Sequence, residues 1–416
     1  MELFHRYRLF KLPVKDLENL LQETLGPDLK VGSVTWKPLT DPGENYGSEI
    51  YSVAAKITNK KVTEVLNLVV KLPPPTPYLL DLFNSPLSFW KELVFYRKLS
   101  PEFIKLQLEC GIEFDKLIRL IPRYYGGRLG LKDSNIFDEQ AAIVMENLIP
   151  SGYAVQDRLL GLDLEHTELV VRELAKLHAI VIGLKIKCPE FFKETVMPAL
   201  VHIANDTARE AIKGMVRQAH DIFKRLPEAK PYIERIERTL AYDYEVDYRN
   251  LKPTEPWGTM VHNDFWCNNV LFKYNDEHKP VSVKIVDFQL GFYSSGAMDL
   301  IFLLFTSVQE AVLDNNLDHL LEHYYKSFIN CLASLKVDTE KFSKNDFYKE
   351  VNKCAPCKFG QCIMMASVIK APKGAIKSLD DMNKDVTFST IGSGELVEKM
   401  LLHIMKVFDK KRWLAD

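Results

Sequence analysis

No long apolar run occurs in this sequence. The most apolar stretch, Leu300 to Phe305, is far too short to cross a bilayer. The amino end, Met1 to Arg6, lacks the continuous hydrophobic segment of a signal peptide. Charge of one sign is also missing. Lys and Arg number 54 against 56 Asp and Glu, a net charge of -2, so no overall basic field exists to hold nucleic acid or an anionic membrane. Internal repeats and low-complexity segments are absent. Seven cysteines, an odd count in a large chain, argue against a disulfide framework and for a reducing compartment. Cys354 and Cys357, with Cys362 nearby, have no second cysteine pair or close histidine pair to complete a zinc site. Packed thiols are expected there. These absences predict a cytoplasmic protein with no nucleic-acid partner, no membrane partner and no obligate protein partner.

What is present is an ordinary globular composition, 47% hydrophobic and 26% charged over 416 residues. That length exceeds one compact core, so two or three packed units are expected. Helical spacing runs from Pro13 to Leu25 and stops at Gly26-Pro27. Strand character follows at Val31 to Trp36, Ile50 to Ile57 and Val65 to Leu72, the last ended by Pro73-Pro74-Pro75. A helix then opens at Asn84-Ser85-Pro86 with Ser85 as its expected cap. Ala141 to Met145 is a short buried strand. Beyond it, Glu146 to Gly152 is polar and Pro/Gly-bearing, the best boundary in the chain. The remainder is mostly helical, notably Leu169 to Ile182, except for one strand-rich island from Thr259 to Phe288. Hence an α+β fold is predicted, with residues 1–148 as a small β-rich unit and residues 149–416 as a larger helical one.

The island carries the chemistry. It reads Val261-His262-Asn263-Asp264-Phe265-Trp266-Cys267-Asn268-Asn269 and resumes at Val283-Lys284-Ile285-Val286-Asp287-Phe288-Gln289. Alternating apolar residues on either side of a turn-like Asn275 to Pro280 predict a hairpin. Folding about that turn sets Asn269 beside Asp287 at the open end, with Asp264 on the loop leading in. Carboxylate and amide oxygens converging there suit Mg²⁺, a hard cation that keeps phosphate and water ligands. An acidic residue directly after Ile285-Val286 also needs a partner to be tolerated. His-x-Asp-x(4)-Asn, a hairpin and then Asp-Phe-Gln match the catalytic loop and metal-binding Asp of protein kinases. In that chemistry Asp264 orients and deprotonates a hydroxyl, while Asn269 and Asp287 hold metal. His262 is expected to scaffold the loop.

A phosphotransferase needs a nucleotide clamp upstream. The glycines Gly43 and Gly47, with Ser48, lie between two candidate strands, where a phosphate-covering loop belongs. Lys71 ends its strand and Glu92 lies in the next helix, so the two can pair and reach phosphates. Glu146 to Leu148 would form the hinge whose backbone holds adenine.

Taken together these segments resemble the insect ecdysteroid-kinase-like family, related to choline kinases and aminoglycoside phosphotransferases. The resemblance rests on Gly43 to Ser48, Val70-Lys71-Leu72-Pro73-Pro74, Phe89 to Tyr96, Met145 to Leu148, Leu174 to Ala179, His262 to Asn269, Asp287-Phe288-Gln289 and Asp299 to Ser307, covering about residues 30–310. It implies a bilobal protein-kinase-like fold, ATP and Mg²⁺ as cofactors, and a small-molecule alcohol, steroid-like or xenobiotic, as substrate. It also implies that Asp299 braces the catalytic loop. Asn263 stands where related enzymes usually have Gly, and Asn147 where an acidic residue is common. His178 is read as core. The acceptor pocket is expected between Asp264 and the helices near 190–250 and 310–410, whose Met and aromatic residues are read as core. A choline- or aminoglycoside-type kinase for a cationic acceptor, and a nucleotide-binding pseudokinase serving as an interaction module, are the alternatives. A protein-kinase role fits least, because no activation segment follows Asp287.

Overall fold

The computed structural model describes residues 12–40, 45–60, 62–203, 205–246, 252–372 and 394–416. The chain folds as α+β, with a β-rich amino-terminal part and a mainly helical remainder. Helix α1 (Leu17–Leu25) starts four residues later than the apolar spacing suggests, because Asp16 takes a left-handed conformation (φ 56°). Strands β1 (Leu29–Pro38), β2 (Glu49–Asn59) and β3 (Val62–Leu72) follow as an antiparallel meander. β4 (Tyr124–Arg128) and β5 (Ala142–Glu146) complete a sheet of order β1-β2-β3-β5-β4.

The period of two along β3 decides where its residues go. Leu68, Val70 and Leu72 face α1 and pack with Leu17, Leu20 and Leu21. Val69 and Lys71 face the other way, toward α3 (Ser85–Val94). Thus the alternation that builds one core also aims a lysine at the helix across the sheet. Helix α3 is preceded by the short α2 (Pro77–Leu82), which the sequence pattern did not announce. Ser85 is its first residue rather than its cap. Asn84 holds the cap position (φ 43°), and its amide donates to the Ile203 carbonyl at 3.2 Å instead of to the helix end. A π-helical turn (Phe95–Leu99) leads into α4 (Ser100–Glu109).

After β5 comes β6 (Tyr153–Val155), which pairs with the predicted hairpin. The long helix α5 (Leu164–Lys187) is followed by the one-turn α6 (Pro189–Phe191), then α7 (Asp206–Arg225) and α8 (Ile233–Val246). The island forms β7 (Gly258–Val261), the hairpin β8 (Val270–Tyr274) and β9 (Pro280–Ile285), and β10 (Phe292–Ser295), which pairs back onto β7. Helix α9 (Ala297–Ser307) is buried at every position, as expected of a helix apolar all round. Then come α10 (Glu310–Ser334), which packs along α5, α11 (Lys344–Ile369), which packs along α9, and α12 (Glu395–Lys410), whose Phe408 meets Phe305 of α9. No described helix is long and apolar enough to cross a membrane. Cys354, Cys357 and Cys362 are buried inside α11 and join no disulfide.

Candidate active site

The hairpin brings Asn269 and Asp287 together. Val270 pairs with Ile285, and the Val286 N–H donates to the Asn269 carbonyl at 3.1 Å, so the two residues flank the open end. The Asn269 amide donates to the Asp264 backbone carbonyl (2.8 Å) and to its carboxylate Oδ2 (3.0 Å). With its nitrogen so engaged, the Asn269 amide oxygen is turned away from Asp264.

His262 ties the loop to the hairpin and is fully buried. One ring nitrogen bonds the Val286 carbonyl at 2.9 Å, and the other faces the Asp264 N–H at 3.3 Å. Those partners require Nε2–H as donor and Nδ1 as acceptor. Burial lowers the His262 pKa, so it serves as a neutral scaffold. Asp299, in the first turn of α9, accepts from the backbone N–H of His262 (2.6 Å) and of Asn263 (2.8 Å). Burial pushes Asp299 up, but His178, His262 and Lys358 outweigh it and hold the carboxyl below its ordinary value. His178 was read as core and is buried, yet it has a role in this network. It contacts Asp299 Oδ2 at 3.2 Å and Tyr324 Oη at 2.7 Å, which makes Nε2–H the donor and Nδ1 the acceptor. Gly296 permits that arrangement. A Cβ there would lie 2.5 Å from His178 Nδ1 and 2.7 Å from Tyr324 Oη. Apolar spacing on α5 could not distinguish this histidine from filler.

Two residues of the loop and hairpin end hold left-handed backbone, Asn263 (φ 68°) and Asp287 (φ 69°). Asn and Asp tolerate that region better than other L residues, and its occurrence at a site of converging polar groups marks a constrained loop.

On the sheet side, Lys71 Nζ lies 2.6 Å from Glu92 Oε2 and 2.7 Å from Asp287 Oδ1. This pairing is what makes Asp287 tolerable after its apolar run. Burial works against the lysine charge, yet the two carboxylates lift its pKa above the ordinary value. Burial carries Glu92 up to about 7 against the pull of Lys71. Asp264 is likewise pushed up to about 7, first by burial and then by the charge of Asp287.

Two cavities meet at this point. One, of about 370 Å³, is walled by Val69, Lys71, Glu92, Met145, Glu146 and Leu148 on the sheet side. The other, of about 220 Å³, is walled by Asp264, Trp266, Phe83, Met215, Met364 and Met365, among others. Asn45, Asn269 and Asp287 belong to both walls. The methionines read as core filler are therefore cavity walls, and Phe83 joins them from the amino-terminal part. Asn205 caps α7 and also reaches the Asp81 carbonyl at 2.6 Å, joining that wall to α2.

The nucleotide-loop expectations fare unevenly. Gly43 lies outside the described residues. Gly47 borders the second cavity rather than the first, and a Cβ there would meet Gln289 Nε2 at 2.7 Å. Ser48 is buried, accepts from the Asn45 amide at 2.9 Å, and is part of neither wall. Asn45, unpredicted, takes the place expected of Ser48. Glu146 and Leu148 stand where the hinge was expected. The Glu146 carboxylate is drawn to the Arg123 N–H (3.3 Å), while Asn147 bonds Ser52 Oγ (3.0 Å) and the Ile149 N–H (3.1 Å). Asn147 thus anchors this segment to β2.

Hard oxygen donors from Asn269 and Asp287, with phosphate and water completing the shell, fit Mg²⁺. Among the described residues no group of three or more His, Cys, Asp or Glu forms a metal cluster. A two-ligand site shared with phosphates needs none.

A sequence model of the ecdysteroid kinase-like family matches residues 42–337. No curated protein matches the chain in sequence. Among solved structures, an ethanolamine kinase of Plasmodium vivax is similar at 10% identity and TM-score 0.45, over 92% of this chain and 85% of that one. A choline/ethanolamine kinase family protein of Mesorhizobium loti follows at 9% identity and TM-score 0.41, over 91% and 90%. The GDP complex of an aminoglycoside phosphotransferase variant gives 14% identity and TM-score 0.42, over 94% and 97%. Likeness at that level is remote and says nothing of a substrate.

Proposed function

The chain belongs to the ecdysteroid kinase-like family, and on that premise we propose that it transfers the γ-phosphoryl group of Mg-ATP to a hydroxyl of a neutral, lipophilic small molecule, a steroid-like or xenobiotic alcohol. The observation that carries this reading is the meeting of two cavities at Asn269 and Asp287, with Lys71 and Glu92 on one side and Asp264 on the other. The first cavity would take ATP. Lys71, oriented by Glu92, would bind its phosphates, and the backbone of Glu146 to Leu148 its adenine edge. Asn269 and Asp287 would hold Mg²⁺, which neutralises charge on the phosphoryl group when bound. Asp264 would accept the proton of the attacking hydroxyl, a role suited to a carboxylate lifted toward neutrality. His262 and Asp299 would hold the loop still. The division at residues 148 and 149 then separates a nucleotide-clamping unit from one that holds the acceptor. Seven free thiols accord with a cytoplasmic setting.

The acceptor side favours a lipophilic alcohol over a cation. Its wall is largely apolar, and among the described residues its only carboxylates are Asp264 and Asp287, both already committed to chemistry and metal. A cationic acceptor would find no further acid there and would have to rest on the rings of Tyr46, Phe83 and Trp266 alone. Incubation with γ-labelled ATP, Mg²⁺ and a panel of sterols, lipophilic alcohols, choline and aminoglycosides tests the proposal. Transfer to lipophilic alcohols, abolished by Asp264→Asn and by EDTA, is expected. Preference for choline or an aminoglycoside would overturn the acceptor class. ATP binding without transfer to any panel member would favour the pseudokinase alternative.

A further inference from the structure

Helix α11 carries a lysine where a core residue is expected. Its neighbours Cys354, Ala355, Cys357, Phe359, Cys362 and Ile363 are all buried and small or apolar. Lys358 is also fully buried. Placing an ammonium there costs free energy unless hydrogen bonds and opposite charge offset it. Both are in place. Lys358 Nζ donates to Asn263 Oδ1 at 2.9 Å and to Gln361 Oε1, and it lies 5.5 Å from the Phe302 ring of α9. Gln361 Nε2 donates in turn to the Asn263 backbone carbonyl at 2.9 Å. Asn263 is thus gripped from α11 through its side chain and its carbonyl, and from α9 through its N–H by Asp299.

Asn263 is the left-handed residue directly before Asp264. A rotation of its backbone would swing the aspartate out of reach of an acceptor hydroxyl. The helix supplying the grip also forms the acceptor wall, about one to three turns further on, through Gln361, Met364, Met365 and Val368. Base and acceptor wall are therefore referenced to one rigid element. That suits a reaction in which positioning supplies most of the rate.

We propose that Lys358 is a positioning residue for phosphoryl transfer, holding Asn263 in its left-handed turn so that Asp264 faces the acceptor wall built from the same helix. This rests on the kinase reading above. The partnership with Asn263 gives it a specific test, because glycine adopts the same backbone without strain and has no side chain to tether.

The experiment uses the full chain and an alcohol that the wild type phosphorylates. Lys358→Met is expected to lower kcat roughly 10- to 100-fold, with KM for ATP within about twofold of wild type. The double variant Lys358→Met/Asn263→Gly is expected to recover at least about fivefold in kcat over Lys358→Met alone, since coupled residues are not additive. A kcat for Lys358→Met within about twofold of wild type, or a double variant no better than the single one, overturns the proposal. So does a KM for ATP that rises in step with the fall in kcat, as a general loosening would cause. If Lys358→Met does not fold, Lys358→Gln is measured in its place, alone and with Asn263→Gly, by the same criteria. Absence of transfer by the wild type itself would instead refute the kinase reading.

Discussion

Replacing Asp299 with asparagine probes the geometry of the loop that carries Asp264 without changing its size. The carboxylate accepts three hydrogen bonds. Oδ2 receives the His262 N–H at 2.6 Å and His178 at 3.2 Å, and Oδ1 receives the Asn263 N–H at 2.8 Å. An amide has one oxygen, so in either orientation its NH₂ faces a buried backbone N–H. One charge-assisted bond is lost, worth about 1.5–3 kcal/mol, and one buried donor is left unsatisfied at about 1–3 kcal/mol. The remaining bonds also lose their charge. A destabilisation of about 3–5 kcal/mol follows, which lowers Tm by roughly 3–6 °C for a chain of this size.

Asp299→Asn should therefore show both a loss of stability, read by urea and thermal unfolding, and a fall in kcat of about 100-fold as Asp264 shifts. ATP affinity should hold, because Lys71 and Glu92 lie in another element. The pH dependence has a definite sign. The folded-state pKa of Asp299 is depressed, so its contribution is full above the unfolded value near 4 and fades as pH falls through the lower folded value. The gap between wild type and variant should close in acid. A stability loss under about 1 kcal/mol, with kcat within about threefold, would refute the view that this carboxylate sets the loop.

Lys71→Met leaves Glu92 and Asp287 facing each other without a cation. Glu92, already lifted to about 7, should take up a proton, so the fold survives at neutral pH while ATP affinity, measured by calorimetry, falls at least about 10-fold. Unchanged affinity would remove Lys71 from the clamp. A pH profile tests the base: Asp264 sits at about 7 without metal, and a bound cation pulls it lower. The rate with Mg-ATP should therefore fall in acid, about tenfold per unit, from a limb at or below pH 7. A profile flat down to about pH 4, the ordinary aspartate value, would argue against Asp264 as the proton acceptor.

Much of the candidate site was legible because it is encoded by short-range pattern. His262, Asp264 and Asn269 lie within eight consecutive positions, and a hairpin converts the distance from Asn269 to Asp287 into contact by local pairing alone. Lys71 and Glu92 follow from strand parity and the order of elements, which sets the lysine on the sheet face that the next helix covers. Two features turn on contacts that the local pattern does not show. Ser85-Pro86 looked like a cap and first turn, but Asn84 was drawn to the Ile203 carbonyl. Ser48 looked like a phosphate-loop hydroxyl, but Asn45 engages it.

By itself, then, the sequence determined the hairpin, the loop leading into it and the strand that carries Lys71, because each depends on periodicity and turn chemistry over a few residues. Only the tertiary structure decided that His178 and Tyr324 back Asp299, and that Lys358 reaches Asn263 from 95 positions away. Tertiary packing also made Phe83, Met215, Met364 and Met365 walls of one cavity. An apolar or buried side chain looks the same in sequence whether it fills a core or borders an empty space. The difference lies in which helices cross above it.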